Sequence, residues 1–213
     1  YGILDQIEAL KWIKRNIEQY GGDPENITVF GESAGAGNIG YLLVSPLADN
    51  LFQKAIMQSG GWPITLTRTL TDNEAVGSDF TNNAGKSIFK LRNLSALELL
   101  EEANSFYKPD YNDPPIDQWL LPSPPRELHG RKNIPKRSVM LGTNEHENLM
   151  NYGSITEADW ATKLTDYSEE QLSRIEEILE AKNLNEKMDA LTTSEDFFCP
   201  TVLQANALLE GNS

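Results

Sequence analysis

The sequence predicts an α/β fold, a central and mostly parallel sheet with helices on both faces. Three observations predict it. Residues 5–20 carry apolar side chains at helical spacing, with Ile7, Leu10 and Ile17 on one stripe, and the pattern stops at Gly21-Gly22. Ile27-Thr28-Val29-Phe30 reads as a short strand without a fully polar face, the signature of a buried strand. A second apolar run at 54–60 follows a helical stretch, and two parallel strands require such a crossover between them.

Taken in order, Asp5 with Glu8 three residues on offers a cap for the first helix. Asp23-Pro24 turns the chain into the strand 27–30, which is expected to be central in the sheet. Small residues from Ala34 to Gly37 open a second helix, continued by Ile39, Tyr41, Leu42, Leu43 and Val44. Ser45-Pro46 ends it, because the residue before proline disfavours helix. The strand at 54–60 then completes a right-handed crossover unit. Residues 61–68 read as a loop and 71–86 as a helix. Ser95 and Glu98 form a capping box opening a helix to about Phe106. Residues 107–125 are Pro-rich and are expected to run as an extended surface loop. A further strand is expected at 137–141 before Gly142, and helices near 156–165, 168–182 and 195–209. Ser168 with Gln171 caps the second of these, and Ile175, Ile178 and Leu179 form its apolar stripe. The whole chain reads as one domain, 1–213, in which 61–135 has the character of a variable insertion.

Composition narrows the function. The 213 residues suffice for one sizeable core, and 39% are hydrophobic. No run of about 18 apolar residues occurs, so no membrane span is expected. The formal charge of −14 argues against nucleic acid and anionic membrane surfaces as partners, since both select basic patches. A single cysteine, Cys199, excludes an intrachain disulfide and is expected to be a buried, unpaired thiol. Asn26-Ile27-Thr28 and Asn93-Leu94-Ser95 are formal glycosylation sequons that say little about compartment.

The chemistry concentrates at Gly31-Glu32-Ser33-Ala34-Gly35. This Gly-x-Ser-x-Gly pattern arises by chance in roughly one chain in fifteen of this length, so its context carries the argument. A strand precedes it and a small-residue helix start follows, the setting of a nucleophile elbow. Ser33 then sits in a strained turn with its hydroxyl projecting from the sheet. Gly31 and Gly35 leave room for helix and strand to approach, and the Ala34 N–H, at a helix N-terminus, is an oxyanion donor. A serine needs a base and a carboxylate that orients the base. Gly142-Thr143-Asn144-Glu145-His146-Glu147 follows the strand 137–141 and offers two acids, Glu145 and Glu147. The two histidines, His129 and His146, read as exposed surface residues. They are far apart and lack partners at ligand spacing, so no metal site is expected, and no phosphate loop or dinucleotide fingerprint is present.

Beyond the pentapeptide, Tyr1-Gly2-Ile3-Leu4-Asp5-Gln6, Gly21-Gly22-Asp23-Pro24, Leu51-Phe52, and Ala55-Ile56-Met57-Gln58-Ser59-Gly60 flank it. With them the chain resembles the type-B carboxylesterase and cholinesterase family of α/β-hydrolases. The match is dense over 2–60 and returns from Leu121-Pro122 through Glu147. It is loose over 61–110 and 150–190.

The resemblance implies a partial α/β-hydrolase fold lacking N-terminal strands and the C-terminal part. It implies a serine hydrolase that cleaves carboxylic esters through an acyl-enzyme, with a small ester as substrate and no cofactor. Ser33 would be the nucleophile and Glu147, on the family's Gly-x-Asn-x-x-Glu element, the triad acid. Glu32 would line the active-site gorge, Ser59 would stand hydrogen-bonded behind the site, and the loop 107–125 would form part of a lid or gorge wall. The family's catalytic His falls beyond residue 213 and its oxyanion Gly pair before residue 1, so the piece alone is expected to be nearly inert and poorly soluble. Where the family most often has Asp-Glu-Gly, this chain has His146-Glu147-Asn148, and Asn at the third position could keep a left-handed turn. Phe197-Phe198-Cys199-Pro200 resembles a position that in some secreted members is disulfide-bonded. The alternative reading is a non-catalytic cholinesterase-like adhesion or binding domain. Substrate, compartment and oligomeric state stay open.

Overall fold

The computed structural model describes residues 1–106, 113–149 and 152–211. Helix α1 (Gly2–Asn16) buries Ile3, Ile7 and Leu10, spaced to fall on one face. A 3-10 turn, Ile17–Tyr20, follows, and Gly21 stops it at φ 82°, a left-handed conformation that glycine adopts without steric cost. Strand β1 (Thr28–Glu32) leads into α2 (Ala34–Val44). Ser45 then turns extended before Pro46, as the sequence requires. Strands β2 (Lys54–Gln58) and β3 (Ser138–Gly142) complete a parallel sheet of order β1-β2-β3 among the described residues.

The register pairs Phe30 with Ile56 and Ile56 with Met140. Ala55 and Met57 project from the opposite face of β2 into a core built with Ile7, Leu10, Ile39, Leu43 and Phe52. Among the described residues the middle strand is therefore β2, and β1, expected to be central, lies at the edge. Thr28–Glu32 pairs on one side only, and Phe30 and Met140, on the face away from this core, are 76% and 67% exposed. The apolar character of both faces of 27–30 signals cover that the described residues do not supply.

Helix α2 is buried nearly all round, from Ala36 to Val44, in keeping with its lack of charged residues. Its approach to β1 depends on Gly31: a Cβ there would lie 2.5 Å from the Gly35 carbonyl carbon and 2.7 Å from its oxygen. Gly35 itself would meet nothing within 4 Å. Of the two glycines expected to leave room, only Gly31 does so; Gly35 contributes its backbone to the contact. Behind the sheet, Arg137 is buried and donates to the carbonyls of Leu43, Ala48 and Phe52, while its guanidinium stacks on the Phe52 ring. Burial lowers its pKa to about 10, which leaves it charged at neutral pH. Its bond to Leu43 satisfies a carbonyl at the C-terminal end of α2.

Between β2 and β3 lie α3 (Leu70–Asn83), α4 (Ile88–Arg92), α5 (Ala96–Phe106) and the short α6 (Pro125–Leu128). The Ser95–Glu98 capping box forms as read from sequence. The loop expected over 107–125 falls partly outside the described residues. Its described part is anchored by Leu120 and Leu121, both buried in the main core.

After β3 come α7 (Glu157–Lys163), α8 (Glu169–Leu179), α9 (Leu184–Thr193), a π-helical turn (Ser194–Phe198) and α10 (Cys199–Gly211). Trp160, Leu179, Met188 and Leu191 form a second small core. The sequence reading missed α9, although Asn183 and Glu186 make a full capping box at its start. Cys199 is exposed rather than buried, because the first turn of α10 directs Pro200 and Thr201 inward instead.

Two substitutions test the helix–strand approach. Gly31→Ala should lower stability by about 1–3 kcal/mol through overpacking against the Gly35 backbone, whereas Gly35→Ala should leave it nearly unchanged or raise it. Urea midpoints of the two variants measure this, and equal midpoints would contradict it.

Candidate functional site

The carboxyl ends of the three strands carry the residues the sequence singles out. Ser33 follows β1 at φ 52° and ψ −121°, a conformation that costs a non-glycine residue on the order of 1–3 kcal/mol. The backbone enforces it: Ser33 N–H donates to the Gln58 carbonyl at 2.9 Å, and the Ser33 carbonyl accepts from Gly37 N–H at 2.9 Å. Its hydroxyl makes no cap to α2, although it occupies the N-cap position. Ala34 opens α2, where backbone N–H groups lack intrahelical partners.

Ser59 follows β2 in the same way, at φ 56°, with its N–H bonded to the Gly142 carbonyl at 2.8 Å. Gly60 lets α2 come close behind it, since a Cβ there would stand 2.4 Å from Ala36 Cβ and 2.8 Å from the Ser33 carbonyl oxygen. Ser59 is buried, and its hydroxyl donates to Glu147 Oε1 at 2.6 Å.

Glu147, in the loop after β3, is further held by Asn144. The Asn144 backbone N–H donates to Oε1 at 2.7 Å and its side-chain amide to Oε2 at 3.3 Å. The backbone N–H of Glu147 donates to Thr193 Oγ1 on α9 at 3.1 Å. Glu145, the rival acid, is exposed and shares none of these contacts. Asn148 is not among the described residues with positive φ, so this turn does not need the glycine that the family pattern carries. Glu32 is exposed at the end of β1, on the rim of an open cleft of about 380 Å³ that Ser59, Met140 and Asn144 also line.

The pattern described as the carboxylesterase family matches residues 1–205. The chain belongs to the carboxylesterase family. It is 39% identical over 154 residues to the fumonisin B1 esterase of Sphingopyxis macrogoltabida, covering 69% of this chain and 28% of that protein. It is 34% identical over 200 residues to the para-nitrobenzyl esterase of Bacillus subtilis, covering 88% and 38%. Rat neuroligin-2 is 36% identical over 160 residues, covering 70% and 19%. Among solved structures, the carboxylesterase of Geobacillus stearothermophilus superposes with a TM-score of 0.80 at 28% identity, covering all of this chain and 47% of that one. The chain thus spans less than half the length of these relatives. Its fold is that of a partial α/β-hydrolase, and no described helix is long and apolar enough to cross a membrane.

Within this family framework His129 corrects the sequence reading, whereas His146 is exposed as expected. His129 is buried, not exposed, with its Nε2 2.7 Å from Gln204 Nε2 on α10. The polar segment around it misled, because the short helix α6 turns Leu128 and His129 inward together. The Nδ1 of His146 lies 2.6 Å from Asp189 Oδ2 on α9. Neither ring is bonded to Ser33. The sequence reading also missed Asp189 and Thr193, whose contacts with the Glu147 loop cross more than forty residues; the Asn183–Glu186 box that starts α9 was the available local signal.

Burial pulls the pKa of His129 down to about 4, against a partial opposing effect of Gln204. The folded state therefore binds this proton less tightly than the unfolded chain, where histidine titrates near 6.5. The resulting stabilisation is present above pH 6.5 and is lost as pH falls through about 4, amounting to about 3 kcal/mol. His129→Gln should remove that part of the acid sensitivity. Denaturation midpoints at pH 7 and pH 4.5 check this, and an unchanged pH dependence in the variant would contradict it.

Proposed function

We propose that this chain carries the nucleophile and the acid of a serine carboxylesterase. The observation that supports it most is the pairing of a strained Ser33, whose hydroxyl is not spent on capping α2, with a Glu147 carboxylate held two strand positions away. Parallel strands stand about 4.8 Å apart, so the two strand ends are separated by roughly the space that an imidazole and its two hydrogen bonds need. Both histidines of the chain are engaged elsewhere. The reading therefore assigns the base to polypeptide outside these 213 residues, in keeping with the partial coverage of the relatives.

In this mechanism Ser33 Oγ attacks the ester carbonyl carbon while the imidazole takes its proton. Glu147 stabilises the imidazolium. The Ala34 N–H, with glycine N–H groups supplied from outside the chain, holds the oxyanion. The imidazolium protonates the leaving alcohol, and the acyl group stays on Ser33. Water, deprotonated by the same base, then releases the carboxylic acid and restores Ser33. Glu32 lines the approach, and Ser59 fixes the carboxylate. Loss of triad function costs on the order of a millionfold, so residues 1–213 alone should hydrolyse esters hardly at all. Small carboxylic esters are the proposed substrates.

The likeness to neuroligin-2 favours a second reading, a binding domain without catalysis. Retention of both Ser33 and Glu147 weighs against it. In the full-length protein, Ser33→Ala should abolish hydrolysis of a p-nitrophenyl ester, by at least about ten-thousandfold, with the melting temperature preserved. Undiminished hydrolysis in that variant would overturn the serine mechanism. Glu147→Gln should reduce kcat by about a hundredfold or more; a wild-type kcat would remove Glu147 from the site.

A further inference from the structure

Three consecutive residues of the Glu147 loop are fastened to one turn of α9. His146 Nδ1 lies 2.6 Å from Asp189 Oδ2, Glu147 N–H donates to Thr193 Oγ1 at 3.1 Å, and Asn148 N–H donates to Asp189 Oδ1 at 2.8 Å. The Thr193 hydroxyl donates in turn to Asp189 Oδ1 at 3.2 Å. Asp189 and Thr193 are four residues apart and so share one helix face. Asp189 is fully buried, and a carboxylate removed from water needs its lone pairs met. Among the described residues the hydrogen-bond partners of its carboxylate come from this loop and from Thr193. Among the described residues His146 is the ionisable group bonded to it.

We propose that Asp189 and Thr193 are positioning residues for the triad acid, and that His146 is the third point of the same clamp. The proposal rests on the reading of Glu147 as that acid. Ser59 and Asn144 hold the carboxylate itself, but they do not fix the backbone that carries it. The clamp supplies that restraint, because it immobilises the loop on both sides of Glu147 and at Glu147. A displacement of about 1 Å at a catalytic group can cost roughly a hundredfold in rate, which sets the scale of the effect. The clamp also fixes the His146 ring, with a proton on Nδ1 directed at Asp189. His146 thus serves the acid loop and not Ser33.

The test uses the full-length protein and two substitutions of nearly equal shape. Thr193→Val should lower kcat roughly a hundredfold with KM little changed, and Thr193→Ser, which keeps the oxygen, should restore it. Wild-type kcat in a folded Thr193→Val protein, while Ser33→Ala is inactive, would overturn the proposal. Activity surviving in Ser33→Ala would instead overturn the reading of the site. Nitrogen NMR of the histidine rings then judges the clamp by itself: the proposal requires a protonated His146 Nδ1 whose signal shifts in Asp189→Asn, and an unprotonated Nδ1 contradicts it.

Discussion

Parallel pairing of β1, β2 and β3 in matched register is the constraint on which the site depends. In a parallel sheet every strand ends on the same side, and crevices beyond those ends are where open α/β sheets hold their ligands. Here the hydrogen-bond ladder extends past the strands themselves. Ser33 N–H reaches back to the carbonyl of Gln58, and Ser59 N–H to that of Gly142. Each serine is thereby forced out of the strand conformation into positive φ at the same level. A slip of one residue would turn Ser33 to the other face of the sheet. The placement of Ser33 and Ser59 therefore rests on a register set by the apolar contacts of Ala55, Met57, Val139 and Leu141 with the core.

A second condition is the closeness of α2 to the sheet. Strain at Ser33 persists only if the surroundings over-determine it, and here they do. Gly31 and Gly60 admit the helix backbone on either side of the turn, and Trp62 closes on Gly37 near enough that a Cβ there would stand 2.8 Å from its ring. At the other end of the helix, Arg137 ties the carbonyls of Leu43, Ala48 and Phe52 to β3. The helix is held at both ends, so its N-terminus stays aimed at Ser33.

Much of this was legible in sequence because its signals are local. The strand–Gly-x-Ser-x-Gly–helix passage, the Ser45-Pro46 stop and the capping boxes at Ser95 and Ser168 each depend on residues within a few positions of one another. The Asn144–Glu147 spacing also lies within one loop, where the two residues are hydrogen-bonded to each other. What escaped was decided at long range. The polar neighbours of His129 conceal its burial against Gln204, seventy-five residues away. Cys199 faces outward because the phase of α10 places Pro200 and Thr201 inside, which composition does not reveal. Among the described residues β1 pairs on one side only; apolar faces report that a strand is to be covered, not which neighbours in this chain cover it.

Family membership by itself leaves two functions open, because the relatives include both esterases and neuroligin-2. The proposed esterase reading rests on the strained Ser33 turn and the hydrogen-bonded Glu147 carboxylate. The most direct measurement is to treat the full-length protein with a fluorophosphonate and locate the adduct by mass spectrometry. The account predicts stoichiometric modification at Ser33, because only an activated serine displaces the leaving group from phosphorus at a useful rate. A folded protein that carries no adduct at Ser33 would contradict it and leave the binding domain as the function of this fold.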